Sequence, residues 1–440
     1  MSSIAAATDQ PRAAAQRAQA DQPSRDLASR FLKTREFTES LTADLAPEDC
    51  VVQSMPDVSP AKWHLAHTTW FFETFVLKKW LDGYQPEIPE YAFLFNSYYN
   101  AAGDMHRRDL RGLISRPTVD QTRRYRSAIN AKVAGLIADA DDALLEELEP
   151  IITLGIHHEQ QHQELMLTDI KHVFAQNPLH PVFRARENDF AGKAIPTMEF
   201  IPFDEAVTEI GYAGNGFSYD NEGPRHRALI PAFALASRPV TNGEYLQFME
   251  AGAYQRSEFW LSLGWMTVNE QRWEAPLYWQ KHDGEWWNFT LSGLRRVEPS
   301  EPVTHISYFE ADAYANWAGA RLPTEFELER AATQQPIAGN FVEKEYFHPQ
   351  PAEAAAPAKP SQIFGDVWEW TRSSYAPYPG YRAEPGALGE YNGKFMCNQY
   401  VLRGGSCATS HTHIRATYRN FFQPEKRWQF TGIRLARDLR

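Results

Sequence analysis

EPIITLGIHHEQQHQELMLTDIKHVFAQ (149–176) carries the reading on which the fold turns. Leu154, His158, Gln161, His162 and Leu165 recur at helical spacing, so they share one face of a helix fitted to this stretch. Inside it, HHEQQHQE (157–164) admits two chemistries. Read from His158 it matches H-E-x-x-H, in which two histidines a turn apart hold zinc and the glutamate serves as base. The same letters fit H-x-x-x-H-x-E, a way of holding a different metal for a different purpose.

Working outward, Ser59–Pro60 reads as N-cap and first residue of a helix over AKWHLAHTTWFFETFVLKKWLD (61–82), stopped by Gly83. VDQTRRYRSAINAKVAGLIADA (119–140) gives another, opening near Pro117–Asp120. With a helix from the preceding segment, these make a four-helix bundle over 36–180. Such bundles build metal sites in their cores from inward-facing side chains.

His158 and His162, at i and i+4, can bind one ion. HLAHTTWFFE (64–73) offers His64 and His67, one of which faces inward beside Trp63, Trp70 and Phe71. A three-histidine face leaves positions open for water or substrate. His157 is expected in an outer shell or at the surface. Glu164 lies roughly 200° around the helix from His162, which restricts it to orienting a ligand from outside the first shell. A zinc peptidase of the extended H-E-x-x-H kind needs a further Gly and His downstream, and Leu165 and Thr168 hold those places. The peptidase reading fails there. Three neutral imidazoles suit zinc, copper or iron alike.

A chain of 440 residues exceeds one ordinary core, so two domains and a tail are expected. Hydrophobic content of 43% is that of a globular protein, and 13 tryptophans ask for a fold that buries them. A net charge of −12 without a long basic run argues against nucleic-acid binding, and no run of 18 apolar residues crosses a membrane. Cys50, Cys397 and Cys407 have no paired spacing, which fits a reducing cytoplasm. The Ala/Gln-rich N-terminus lacks an apolar signal segment and reads, over 1–35, as a disordered tail.

Residues 181–196 read as a linker. Beyond them short apolar-aromatic runs alternate with Gly, Pro and Asn turns. Helical islands are expected at Asn242–Ala251 and Thr324–Ala332, and a surface loop at 348–360. This half carries GNGFSYDNEGPRH (214–226), PVTNGEYLQFM (239–249), RLPTEFELERAA (321–332), GDVWEWT (365–371), VLRGGS (401–406) and FTGIRLARD (430–438).

In that order the six motifs resemble the formylglycine-generating-enzyme domain, a C-type-lectin-like fold with little regular structure and many buried tryptophans. The first half resembles the DinB-like bundle. The succession is similar to the ergothioneine-biosynthesis sulfoxide synthases (the EgtB family), over roughly 36–440. The resemblance implies an α+β chain, with a DinB-like bundle over 36–180 and a lectin-like domain over 197–440. The two copper-binding cysteines of a formylglycine generator would fall at Thr409 and Ile414, so that activity is not expected. Cys407 reads as packing.

Carried over one residue at a time, the resemblance implies His67, His158 and His162 as ligands of Fe(II), with His64 left to packing or an outer shell. Gln161 would contact the histidine-derived substrate. NSYYNAAG (96–103) places Tyr98 and Tyr99 where one branch of the family has its active-site tyrosine pair. One is expected to face the iron and the other to face away; Tyr381 and Tyr391 are the alternatives. In RNFFQ (419–423), Asn420, Phe421 and Phe422 stand where the γ-glutamylcysteine branch has Asn-Trp-Asp. Without that carboxylate, cysteine is the expected thiol, and Phe421 offers a face to a trimethylammonium group. Of the arginines after the tyrosine pair, Arg111 and Arg116 are the candidates for holding a substrate carboxylate. The implied partners are small molecules: hercynine, cysteine and O₂.

Overall fold

A computed structural model of the chain describes residues 26–186, 194–353, 359–383, 389 and 391–439. Of the tail expected over 1–35, residues 1–25 lie outside the described ones. From 26 to 40 the chain is a helix, α1. Leu27, Phe31 and Arg35 recur every fourth residue and are buried, a stripe that the Ala/Gln-rich composition upstream obscures.

The chain divides into two compact units. Among the described residues the first holds 26–52, Ser59–Ser97 and Gly103–His162; the second holds Gln53–Val58, Tyr98–Ala102 and the residues from Gln163 onward.

The first unit is built on α1, α2 (Ala61–Phe72), α3 (Val119–Asp139) and the first part of α4 (Asp142–Ala175). Every residue of α2 is buried, as its all-round apolar and small-residue sequence requires. It starts after Pro60 with no side-chain cap. Ser59 does not cap it: its Oγ accepts from Arg111 Nη1 at 2.9 Å. One π-type turn, Glu73–Leu77, carries α2 into Lys78–Trp80, and the chain reverses at Gly83, whose φ of +69° a side chain would strain. Thr118 and Gln121 form a capping box on α3. α4 opens eight residues before Pro150, because DALLEELE (142–149) is made of strong helix formers with Leu145 and Leu148 buried. A Cβ on Gly155 would sit 2.5 Å from the Phe72 ring, so glycine there lets the α2 aromatics lie directly on α4.

The second unit is mostly short strands: β1 (Phe200–Phe203), β2 (Ala206–Ile210), β3 (His226–Ile230), β4 (Phe233–Ala236), β5 (Trp279–His282), β6 (Glu285–Thr290), β7 (Gly293–Arg296), β8 (Trp368–Ser374), β9 (Tyr400–Arg403), β10 (Asn420–Phe422), β11 (Thr431–Gly432) and β12 (Ala436–Asp438). They form sheets ordered β1-β4-β12, β10-β9-β8-β11, β2-β3 and β5-β6-β7. In the second of these, β8 pairs with β9 antiparallel and with β11 parallel, burying Trp368 and Trp370. Helices α5 (Asn242–Glu250), α6 (Tyr308–Trp317) and α7 (Glu325–Ala332) each open on a capping box, at Thr241, Ser307 and Thr324.

Two loop expectations change. Phe183 and Arg184 donate their backbone N–H groups to Leu291 O, so the start of the expected 181–196 linker is tied into the second unit; 187–193 lie outside the described residues. The expected surface loop at 348–360 begins buried, with His348 Nε2 3.0 Å from Glu301; its residues 354–358 are outside the described ones. Among the described residues no helix is long and apolar enough to cross a membrane.

Candidate metal centre

His67 of α2 and His158 and His162 of α4 converge in the first unit, fully buried, with one nitrogen of each within 4.8 Å of the others. His67 Nε2 lies 3.1 Å from His158 Nε2. Two like-charged rings would not sit so close, and the surroundings set the protonation. His67 Nδ1 is 2.6 Å from Phe95 O, so Nδ1–H donates and the Nε2 lone pair points at the cluster. His162 Nδ1 faces His64 Nδ1 at 2.9 Å. Burial, with repulsion from His158, holds His67 well below the usual imidazole range. His158 is pushed down to about 3 by burial, and His162 well below the usual range by burial and by His158 and His67. Three neutral, converging imidazoles are the donor set a divalent transition metal requires.

Aromatic rings fix the ligand from α2. Trp63 stacks on His67 at 4.5 Å and 11°, and Trp70 stacks on it at 5.7 Å and 18°. Arg111 is buried, its guanidinium 3.4 Å from the Trp63 ring centre and bonded to Ser59 Oγ and Ser97 Oγ. The indole is thus held between a cation and a ligand imidazole. Arg116 is exposed, with Nη1 donating to Ser115 O.

Glu159, the base of an H-E-x-x-H peptidase, turns the other way. Its carboxylate is buried between Arg35 of α1 and Arg126 of α3: Arg35 Nη1 donates at 2.6 Å, Arg126 Nη2 donates to Oε1, and Thr38 Oγ1 donates at 2.6 Å. Burial would raise this carboxyl, but the two arginines hold it below its usual range. Burial and Arg126 pull Arg35 down to about 10. A carboxylate with both oxygens engaged this way has no capacity to activate a metal-bound water. The sequence alone missed this cage, because its partners lie 124 and 33 residues away.

Glu164 does not orient a ligand either. It accepts from Trp368 Nε1 at 2.7 Å, Ser406 Oγ at 2.6 Å and Thr409 Oγ1 at 2.7 Å. His157 is buried, and Gln161 is half-buried one residue before His162.

The remaining candidates gather in the second unit. Tyr98 and Tyr99 do not diverge as expected: Asn100 N–H bonds to Tyr98 O and Ala102 N–H to Tyr99 O, and this tight turn stacks the two rings at 4.7 Å and 28°. Tyr99 is buried and Tyr98 half-buried. Tyr391 meets Tyr98 at 6.0 Å. Phe421 is flanked by Tyr375 at 4.0 Å and Phe395 at 5.9 Å, and Phe395 also meets Tyr98 at 5.4 Å. Asn420 Oδ1 accepts from Phe421 N–H, and Phe422 packs against Trp428.

Residues 30–166 match the DinB superfamily, and 202–360 with 357–439 match the family described as sulfatase-modifying factor enzyme 1-like domain. The chain is 32% identical to a hercynine oxygenase of Mycolicibacterium thermoresistibile, over 94% of this chain and 95% of that protein. It is 32% identical to a hercynine oxygenase of Mycobacterium tuberculosis, over 94% and 99%. Ergothioneine biosynthesis protein 1 of Schizosaccharomyces pombe is 29% identical over 50% of this chain and 28% of its own length.

Proposed function

The chain belongs to the hercynine oxygenase family, and on that premise we propose that it is a non-haem iron(II) sulfoxide synthase that joins hercynine to cysteine. Its coarser role, an oxygenase of ergothioneine biosynthesis acting as a sulfoxide synthase, follows from the family. The observation that carries the finer reading is the buried convergence of one nitrogen each of His67, His158 and His162, with the His67 Nε2 lone pair inward.

In this reading the three histidines would hold iron(II), which would supply the activation of O₂. The C2–H of the substrate imidazole and the thiol S–H are broken, a C–S bond and a sulfoxide oxygen are formed, and the second oxygen atom leaves as water. Gln161 binds the substrate imidazole. Tyr98 and Tyr99 lend a proton and an electron to the oxygen-derived oxidant and regain both from the substrates' C–H and S–H before turnover ends, with Tyr99 kept from solvent and Tyr98 stacked on it. Arg111 or Arg116 receives a carboxylate, and Asn420, Phe421 and Phe422 form the wall for the thiol. No carboxylate at 421–422 meets a dipeptide's amine, which favours cysteine over γ-glutamylcysteine.

Oxygen consumption by the iron-loaded protein tests the reading directly. Uptake is expected with hercynine and cysteine together, with the sulfoxide as product by mass spectrometry. Absence of uptake with every thiol offered would overturn it.

A further inference from the structure

A line of oxidisable rings runs through the second unit beyond the tyrosine pair. Tyr98 meets Tyr391 at 6.0 Å, Tyr391 stacks on Tyr219 at 5.2 Å and 7°, and Tyr219 meets Tyr418 edge-on at 5.7 Å. Tyr418 in turn lies 5.5 Å from Trp368, whose indole N–H donates to Glu164. These centroid separations are those of rings in direct contact. Tyr99, Tyr391, Tyr219, Tyr418 and Trp368 are all buried. Packing alone would be served as well by phenylalanine, which this chain uses freely elsewhere; only Tyr and Trp surrender an electron to an O₂-derived oxidant.

The far end has somewhere to put a proton. Tyr418 Oη lies 2.9 Å from Nε2 of His413, and both are buried. A neutral phenol that loses an electron becomes a strong acid, so a tyrosine whose hydroxyl donates to an imidazole is the easiest in a chain to oxidise. The Arg415 guanidinium, paired with Glu222, lies over the rings of Tyr219 and Tyr418 at 5.7 and 5.3 Å. A cation there disfavours a radical cation on either ring, so at Tyr418 electron and proton leave together.

We propose that Tyr391, Tyr219 and Tyr418 form a redox relay that draws oxidising equivalents away from the Tyr98–Tyr99 pair and holds them at Tyr418–His413 when O₂ is reduced without productive substrate. In the step, an oxidised Tyr98 (phenoxyl) takes up one proton from solvent, which its half-buried position admits, and gains one electron from Tyr418, which tunnels across the contacting rings of Tyr219 and Tyr391 without resting on either. Tyr418 loses that electron while its hydroxyl proton moves to His413 Nε2, leaving a neutral phenoxyl beside an imidazolium. A small-molecule thiol later returns one electron, releasing its S–H proton to solvent and leaving as a thiyl radical that pairs with another to a disulfide, and the proton moves back from His413 to Tyr418. The relay rests on the proposed O₂ chemistry for its oxidant.

Two measurements on the full-length protein test it. Metal-free protein is photo-oxidised by a ruthenium polypyridyl complex with a sacrificial electron acceptor, frozen, and read by electron paramagnetic resonance. A long-lived tyrosyl signal is expected in the parent and in Y98F/Y99F, with its loss in Y418F. A parent signal that Y418F leaves unchanged would overturn the relay, whatever the O₂-uptake result; a failure of the proposed reaction leaves this arm unaffected. Iron-loaded protein is then incubated with O₂ and cysteine but no hercynine. Assayed with hercynine and cysteine together before this incubation, Y219F and Y418F are expected to keep the parent's initial coupled rate; in the incubation they are expected to inactivate several-fold sooner and to accumulate hydroxylation on the peptide bearing Tyr98 and Tyr99. Survival and oxidation maps identical to the parent's would equally overturn it.

Discussion

His64 and His162 face each other Nδ1 to Nδ1 at 2.9 Å, both buried. One proton lies between them. When His162 donates it, its Nε2 keeps a lone pair; when His64 donates, Nε2 of His162 carries the proton and is no ligand. Metal binding therefore selects the first arrangement, and His64 acts as the acceptor that orients His162. His64→Phe should weaken metal binding about 10- to 100-fold, measured by competition with a chelator, with far-ultraviolet circular dichroism unchanged. Equal affinity would remove the role. Alanine at His67, His158 or His162 should abolish stoichiometric metal, and a variant retaining a full complement would break the ligand assignment.

Glu159 is a structural carboxylate. Glu159→Gln leaves Arg35 buried without its ion-pair partner and Arg126 with only the more exposed Glu39, and is expected to cost about 3–5 kcal/mol of stability, read by denaturant unfolding. Metal content per folded molecule should stay at the parent level, since the carboxylate does not reach the cluster. Loss of metal with unchanged stability is the contrary result.

The stacked pair makes a single-site change at Tyr98 or Tyr99 hard to interpret, because either phenol can substitute for its neighbour. The double change to phenylalanine keeps the stack and removes both hydroxyls. Sulfoxide formation should fall by about two orders of magnitude, the size of a lost proton donor, while hercynine and cysteine affinities stay near the parent's. Unaltered turnover would shift the role to Tyr391, which touches Tyr98.

Lys171 gives a pH signature. It is buried, its Nζ donating to His305 Nε2 at 2.7 Å, and burial pulls its pKa from 10.5 down to about 7. Between those values the unfolded chain binds more protons than the folded one, so this group makes stability rise with pH from about 7 to about 10.5. Below 7 its cost is fully present. Lys171→Met should therefore gain most over the parent in Tm at pH 7 and lose that advantage toward pH 10. A Tm difference constant across the range would mean an ordinary lysine.

Thiol choice is testable at Phe422, which packs on Trp428. Phe422→Asp supplies an ion-pair partner for the γ-glutamyl amine. It should raise kcat/KM for γ-glutamylcysteine relative to cysteine by about tenfold, or about 1.4 kcal/mol. An unchanged ratio would place the thiol's amine elsewhere.

Local covalent geometry explains what was readable in one dimension. Four residues make about one helical turn, so His158 and His162 share a face in any helix that contains them. The two expected helical islands start at capping boxes, Thr241 with Glu244 and Thr324 with Glu327, that span four residues and are just as local; the helix that opens at Ser307 is not among those expected. The order of motifs named both domains for the same reason. The reading differs from the structure where local signals are weak or misleading, as with the start of α4 at Asp142 rather than Glu149 and the buried stripe of α1 inside an apparent tail.

The arrangement of the candidate site depends on contacts far apart in the chain. His64 and His67 are three residues apart and equally plausible ligands by spacing; the Phe95 carbonyl and the rings of Trp63 and Trp70 commit His67. The sequence rejects Glu159 as a peptidase base but says nothing of its partners, two arginines that helices from residues 26–40 and 119–139 bring to it. Periodicity tells which side chains share a face. Only packing tells what that face meets, because a buried polar group takes its protonation and orientation from partners that the folded chain, not its neighbours in sequence, brings to it.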